Sequence, residues 1–306
     1  MAYTTPQKIS LQELIAKVQK LPQLPEAALR LTKVMEDPDA HAEDMAAIIR
    51  VDPDMTTQVL RLCNSAAYAL NRRISTVKDA VAILGLNTLK SMVYVIISKF
   101  ALDRPVEGYG LDRGALWRNA LTCAVYARHL APRHAQGVDP ELAFTGALLR
   151  DIGKIVLGEY VGRSYQDIER LAMQKRIDFI EAEQEVLGFN HCMVGKLIAE
   201  KWGLPDTLVK VIQYKNKPSL LAKQPPAIGS KVDVYKLVSL VHLADCFTRM
   251  TGCGLGSDGL MSGFDETALT SLGIQLSAPF IERTLDQLVT QDHLVEEMIQ
   301  SLKGGA

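Results

Sequence analysis

Apolar residues recur along this chain at the three-to-four-residue spacing of an α-helix, and the alternating β-branched pattern of strands is missing. That periodicity dictates an all-α, multi-helical fold. The first segment opens with the capping pair Ser10 and Glu13 and lays Leu11, Leu14, Ile15 and Val18 along one face. Pro25 suits the first turn of a second helix, which the turn Asp37-Pro38-Asp39 ends, and residues 42–50 make a third. Asp52 should cap a helix led by Pro53 and running to about Leu70. Ser75 should cap a short one that stops at Gly85, and Asn87 begins another that ends near Leu102.

Pro105, Gly108 and Gly110 interrupt the pattern over 103–111, so residues 1–102 read as a first helical lobe and 112–251 as a second. Helices are expected in the second over 112–131, 140–150, 164–176, 178–187, 191–202 and 205–214. A proline-rich break at 215–230, with Pro218, Pro225 and Pro226, precedes a long helix from about Lys231 to Thr251. Residues 252–306 read as a glycine-rich loop and a C-terminal helical extension. Gly254, Gly256 and Gly259 have literal GxGxxG spacing but follow a helix. A dinucleotide fingerprint needs a preceding strand and a helix N-terminus at the pyrophosphate, so the spacing reads as a loop.

A chain of 306 residues can bury a proper core as one large domain or two ordinary ones. Its formal net charge of -1 lacks the positive field that drives counterion release, so nucleic acid is not the default partner. No basic stretch leads into an apolar run near the N-terminus, and the longest apolar run, Met92 to Ile97, is cut by Ser98 and Lys99. The expectation is a cytoplasmic protein without a membrane span. Five cysteines, Cys63, Cys123, Cys192, Cys246 and Cys253, show no CxxC pairing and read as reduced thiols, with a redox pair Cys246–Cys253 as the alternative. From Thr251 onward eight acidic residues face only Arg283 and Lys303, while Arg50 to Leu102 holds seven Lys/Arg against three Asp. This polarity fits two solvated faces, a partner surface, or docking of the two ends of the chain.

Three early segments carry a family resemblance: Leu21-Pro22-Gln23-Leu24-Pro25, Leu62-Cys63-Asn64-Ser65-Ala66-Ala67-Tyr68, and Ile74 to Gly85. Later ones extend it: Trp117-Arg118-Asn119, Ala143 to Lys154 with its core Leu149-Arg150-Asp151, His191-Cys192-Met193-Val194-Gly195, and Trp202-Gly203-Leu204-Pro205. Taken in order over roughly residues 14 to 215, these resemble the HDOD domain, which implies the helical fold of HD phosphohydrolases. Without the resemblance, Leu-Pro-Gln-Leu-Pro is a rigid lead into a helix rather than a PxxP ligand, and Asn64 and Ser65 are mid-helix polar residues that bond to backbone or cross a lobe contact.

In HD phosphohydrolases a His, an adjacent His-Asp pair and a distant Asp hold a divalent metal that activates water against a phosphate ester. The resemblance places Asn119 where the first His belongs, Arg150 at the His of the pair, and Lys215-Asn216 at a frequent His-His pair. Arg offers no lone pair and repels a cation. Asp151, His191, His242 and Asp245 remain, and the i, i+3 spacing of His242 and Asp245 allows a ligand pair or a structural network. Arg150 or Lys154 is expected to supply the charge that metal once supplied to Asp151 and Asp245, giving a salt-bridged relic site without metal or cofactor. The resemblance then implies a non-catalytic, stand-alone regulatory module of bacterial signal transduction that binds a protein partner. Two rivals stay open. One is a phosphohydrolase with a degenerate ligand set, Asp151, His191 and Asp245. The other is a receptor for a nucleotide second messenger with Arg150 and Lys154 on phosphate.

Overall fold

Ser10 opens the first helix as the sequence dictates, its hydroxyl accepting the Glu13 N–H at 3.1 Å, and α1 (Leu11–Lys20) buries Leu14 and Val18. The structure, a computed structural model, describes residues 10–21, 24–37, 39–70, 72–223, 232–254, 256 and 263–303. Pro22, Gln23, Pro38, Pro225, Pro226, Lys231 and Gly259, named above, lie outside them. Pro25 caps α2 (Glu26–Glu36), and α3 (Ala42–Val51) follows. Asp52 caps α4 (Pro53–Cys63), its carboxylate accepting the Met55 N–H at 2.9 Å.

α4 ends seven residues sooner than its periodicity suggests, because Asn64 terminates it. The Asn64 amide donates to the carbonyls of Leu60 and Ile74 and accepts the Ile74 N–H, at 2.7, 2.8 and 2.7 Å. This pins the returning end of the loop, and a 3-10 turn at Ala66–Tyr68 fills the gap. Thr76, not Ser75, caps α5 (Val77–Leu102), whose path breaks at Gly85 with φ of 80°. α5 is long and apolar enough to cross a membrane, but half of its most apolar window is buried within this fold.

The 103–111 segment is not a free linker: its 3-10 turn Glu107–Tyr109 is held by an isolated bridge between Val106 and Leu111, and Tyr109 is fully buried. There follow α6 (Ala115–His134), α7 (Pro140–Leu149), α8 (Lys154–Lys175), α9 (Phe179–Leu187), α10 (His191–Lys201) and α11 (Asp206–Tyr214). α8 starts ten residues earlier than expected. Gly158 and Gly162 weaken the local helical signal, but a Cβ on Gly108 would lie 1.8 Å from the Gly158 carbonyl oxygen, so tertiary contact holds this helix. The proline-rich break contains a short helix, α12 (Pro218–Ala222), and Asp233 caps α13 (Val234–Met250). α14 (Glu266–Ser271), α15 (Ala278–Val289) and α16 (Asp292–Lys303) complete an architecture without strands among the described residues.

One apolar core runs through all these segments, from Leu14, Ile49 and Leu62 through Leu121, Phe144 and Leu240 to Met298 and Ile299. The two ends of the chain meet in space, although no ion pair joins the basic 50–102 segment to the acidic C-terminal one among the described residues. α16 packs against α4 and α6, with Arg118 paired to Glu296 at a second contact of 3.1 Å and Lys99 donating to the Leu302 carbonyl at 2.7 Å. Leu24 is 2% exposed, whereas Tyr68 is half-buried beneath Arg128 at 5.7 Å. Leu24→Asp is therefore expected to lower stability by about 2–5 kcal/mol and Tyr68→Ala by less. Denaturant unfolding checks this, and the reverse order would place Leu24 at a solvated surface.

Candidate functional site

Arg150 ends α7, and the tight turn 151–153 starts α8 without leaving the core. This turn requires Gly153, where a Cβ would lie 1.8 Å from the His191 carbonyl oxygen and 2.6 Å from the Gly195 nitrogen. The turn thus fixes Asp151 against α10, while α6 brings Asn119, α9 brings Glu183 and α13 brings His242, Asp245 and Arg249. Lys215 arrives immediately after α11. Asn119, Arg150, Asp151, Lys154, Glu183, His191, Lys215, His242 and Asp245 are all buried.

Arg150 is the hub. Its Nε donates to Asp245 Oδ1 at 2.6 Å, Nη1 donates to the Ala147 carbonyl at 3.1 Å, and Nη2 bonds to Asn119 and lies 3.5 Å from Asp151. Lys215, fully buried, sits 2.7 Å from Asp151 Oδ1 and 3.5 Å from Asp245 Oδ2. Lys154 approaches the other Asp151 oxygen at 3.4 Å with its ammonium over the Tyr109 ring, and Arg249 binds Asp245 at 2.7 Å. Burial alone would push both aspartates up. Lys154, Lys215 and Arg150 hold Asp151 well below the usual carboxylate range, and Arg150, Arg249 and Lys215 do the same for Asp245.

The two histidines have separate duties. His242 Nδ1 donates to the Lys215 carbonyl at 2.8 Å and Nε2 accepts the Asp265 N–H at 2.9 Å, which fixes a neutral ring with both nitrogens engaged. Burial lowers its pKa, consistent with that state. It shares a helix with Asp245 but serves the loop before α14 instead of the cluster centre. His191 lies between two carboxylates, with Nδ1 2.9 Å from Glu183 and Nε2 3.7 Å from Asp151. Burial opposes its protonation, but Glu183 outweighs that and raises its pKa to about 9. Glu183, fully buried, also accepts the Tyr109 hydroxyl at 2.7 Å and the His191 N–H at 3.0 Å.

A folded-state pKa above the unfolded value gives stabilisation that is complete below about 6.5 and lost as pH rises through about 9. The melting temperature is thus expected to fall between pH 7 and pH 9.5, and to fall less in His191→Gln. Equal slopes in both proteins would remove His191 as the cause.

Metal does not fit this centre. The Arg150 guanidinium and Lys215 ammonium stand beside both aspartates, Asn119 turns its oxygen to Arg150, and His242 has no free nitrogen. No group of three or more His, Cys, Asp or Glu among the described residues has a metal-binding arrangement. A phosphate fits no better, since Arg150 and Lys154 are buried and bound to internal carboxylates. Nor does the cysteine pair suit redox chemistry: burial raises the Cys246 thiol to about 12, and Cys253 contacts Thr122 at 3.1 Å.

The sequence identified the aspartates and Arg150. It did not single out Glu183, which lies on another helix and carries no local signal, or Tyr109. Arg249, four residues after Asp245, did carry a signal in its i, i+4 spacing. At Gly254, with φ of 58°, a Cβ would lie 2.6 Å from the Ala115 carbonyl oxygen, and Asn119 donates to the Cys253 carbonyl at 2.7 Å. The start of the glycine-rich loop therefore closes over the cluster instead of cradling a dinucleotide.

The HDOD domain family model matches residues 21–218. An uncharacterized protein of Treponema pallidum (strain Nichols) is 23% identical over 215 residues, 70% of this chain and 41% of its own length. The chain thus spans about two fifths of that curated relative. Among solved structures, the "Putative phosphohydrolase" of Shewanella amazonensis SB2B is 26% identical with a TM-score of 0.69, covering 94% of this chain and 97% of its own. An HDOD domain protein of unknown function from Geobacter sulfurreducens has 23% identity and a TM-score of 0.66, with 94% and 99% covered, and shows the same fold. With the family model matching well over half of its length, the chain belongs to the HDOD family.

Proposed function

We propose that this chain is a non-catalytic regulatory module of bacterial signal transduction that acts by binding a protein partner. The observation that carries the reading is the replacement of a metal by fixed cations: Arg150 and Lys215 neutralise Asp151 and Asp245 inside a closed core. In such a centre the carboxylates that would hold a Lewis acid are already held by cations, and the ion pairs and hydrogen bonds around them tie together α6, α7, α10 and α13. A fold of this kind from Marinobacter aquaeolei VT8, 23% identical with a TM-score of 0.70, carries the name "Putative signal transduction protein", which is compatible with this role.

The test has two arms. Purified protein supplied with manganese, iron, magnesium or nickel is expected to turn over no phosphomonoester or phosphodiester. Turnover that disappears in a folded Asp151→Asn variant would overturn the non-catalytic reading, whereas turnover that survives it is contamination. Affinity capture from the native host should return a reproducible protein partner that binds the purified chain directly, and failure of direct binding would overturn the interaction reading.

A further inference from the structure

A cavity of about 340 Å3 opens between α9, α10, α11 and α12, within the size range of small-molecule sites. Two of its wall residues, Cys192 and Asn216, directly follow His191 and Lys215 in the chain, so it lies against the ion cluster without being part of it. One side is apolar, with buried Ile180 and with Leu220, which leaves 48% of its surface exposed. The other presents the half-buried side-chain amides of Gln213 and Asn216.

These amides are the chemical signal. Gln213 makes no side-chain hydrogen bond among the described residues, and Asn216 only accepts a weak contact from the Cys192 thiol at 3.9 Å. Each carries donor N–H groups and an acceptor oxygen, so together they offer both polarities beside an apolar wall. Charge decides what such a site excludes. Lys217, the cation of the wall, is paired with Glu181, and Glu185 at the rim is paired with Lys175. The two pairs are neutral in sum, so the lining has no net positive charge to offset the desolvation of a phosphate, which disfavours one.

We propose that this cavity binds an uncharged heteroaromatic ring with adjacent donor and acceptor groups, the chemistry of a nucleobase or nucleoside without its phosphates. The ring lies against Ile180 and Leu220, and its polar edge pairs with Gln213 and Asn216. This site requires neither catalysis nor a protein partner, and it stands or falls separately from the function proposed above.

Calorimetry of the full chain against adenosine, guanosine, cytidine and uridine, and against their 5′-monophosphates, tests it. At least one nucleoside is expected to bind, and its monophosphate to bind at least tenfold more weakly. Gln213→Leu and Leu220→Ala are each expected to weaken nucleoside binding tenfold or more at unchanged melting temperature, since both side chains are at least partly exposed. No binding by any of the four nucleosides at millimolar concentration overturns the proposal. So does equal binding of the monophosphate, which places the recognition on phosphate, or binding that both variants leave intact, which places it elsewhere.

Discussion

Arg150→Met is expected to destabilise this protein by about 3–5 kcal/mol, the range for removing one partner from a buried ion pair. The guanidinium is 1% exposed and binds Asp245, Asn119 and the Ala147 carbonyl, with Asp151 at 3.5 Å. Removal leaves Asp245 with Arg249 and the longer Lys215 contact, and leaves the Asn119 oxygen without its donor. The cost comes from stranded desolvated groups, not from the net strength of the pair. Arg150→Met combined with Asp245→Leu is expected to recover little of the loss, because removing Asp245 takes a carboxylate partner from Arg249 and Lys215 as well. Denaturant midpoints of the parent and both variants at pH 7 measure it. A loss below about 1 kcal/mol for Arg150→Met, the range of an exposed pair, would mean that water reaches the cluster.

Recreating a metal centre is expected to need three substitutions. The family pattern points to Asn119→His and Arg150→His, but Lys215 Nζ stands 2.7 Å from Asp151 Oδ1, where a cation ligated by that carboxylate would be repelled. The double variant should therefore bind no more manganese or nickel than the parent. Adding Lys215→His supplies three imidazoles beside Asp151, Asp245 and His191, a nitrogen and oxygen donor set suited to a transition metal. The triple variant should be less stable than the parent without metal and should gain about 2.7 kcal/mol at a free metal concentration one hundred times its Kd. Elemental analysis and melting with and without metal read both effects. Stoichiometric metal in the double variant would show that Lys215 is not the obstacle, and metal in the parent would overturn the account of a cation-filled centre.

The helical class was legible because capping and periodicity are local properties. Ser10, Asp52 and the break at Gly85 act within a few residues of where they stand in the sequence, and the structure uses each as expected. The HDOD motifs were legible in order and spacing for a different reason, since five of the cluster's side chains, Asn119, Arg150, Asp151, Lys154 and His191, come from those segments, whereas Glu183, Lys215, Asp245 and Arg249 do not. Where the local signal misled, a distant contact was responsible. Asn64 ends α4 by bonding to Ile74, and Gly158 stays helical because the Gly108 turn packs directly on it.

The sequence by itself determined an all-helical chain and, through the family resemblance, placed an amide and a guanidinium at two positions where imidazoles are expected, while leaving metal binding by Asp151, His191 and Asp245 open. Only the tertiary structure decided which cation neutralises which carboxylate. It put Lys215 beside Arg150, gave His191 a buried partner in Glu183, and turned His242 away to a backbone carbonyl and the Asp265 N–H. The physical reason is that burial and pairing depend on which helix faces meet, and those faces belong to residues as far apart as Arg150 and Asp245. Side-chain spacing along one helix could place His242 and Asp245 together, but it could not tell that one of them reaches the cluster while the other holds a loop.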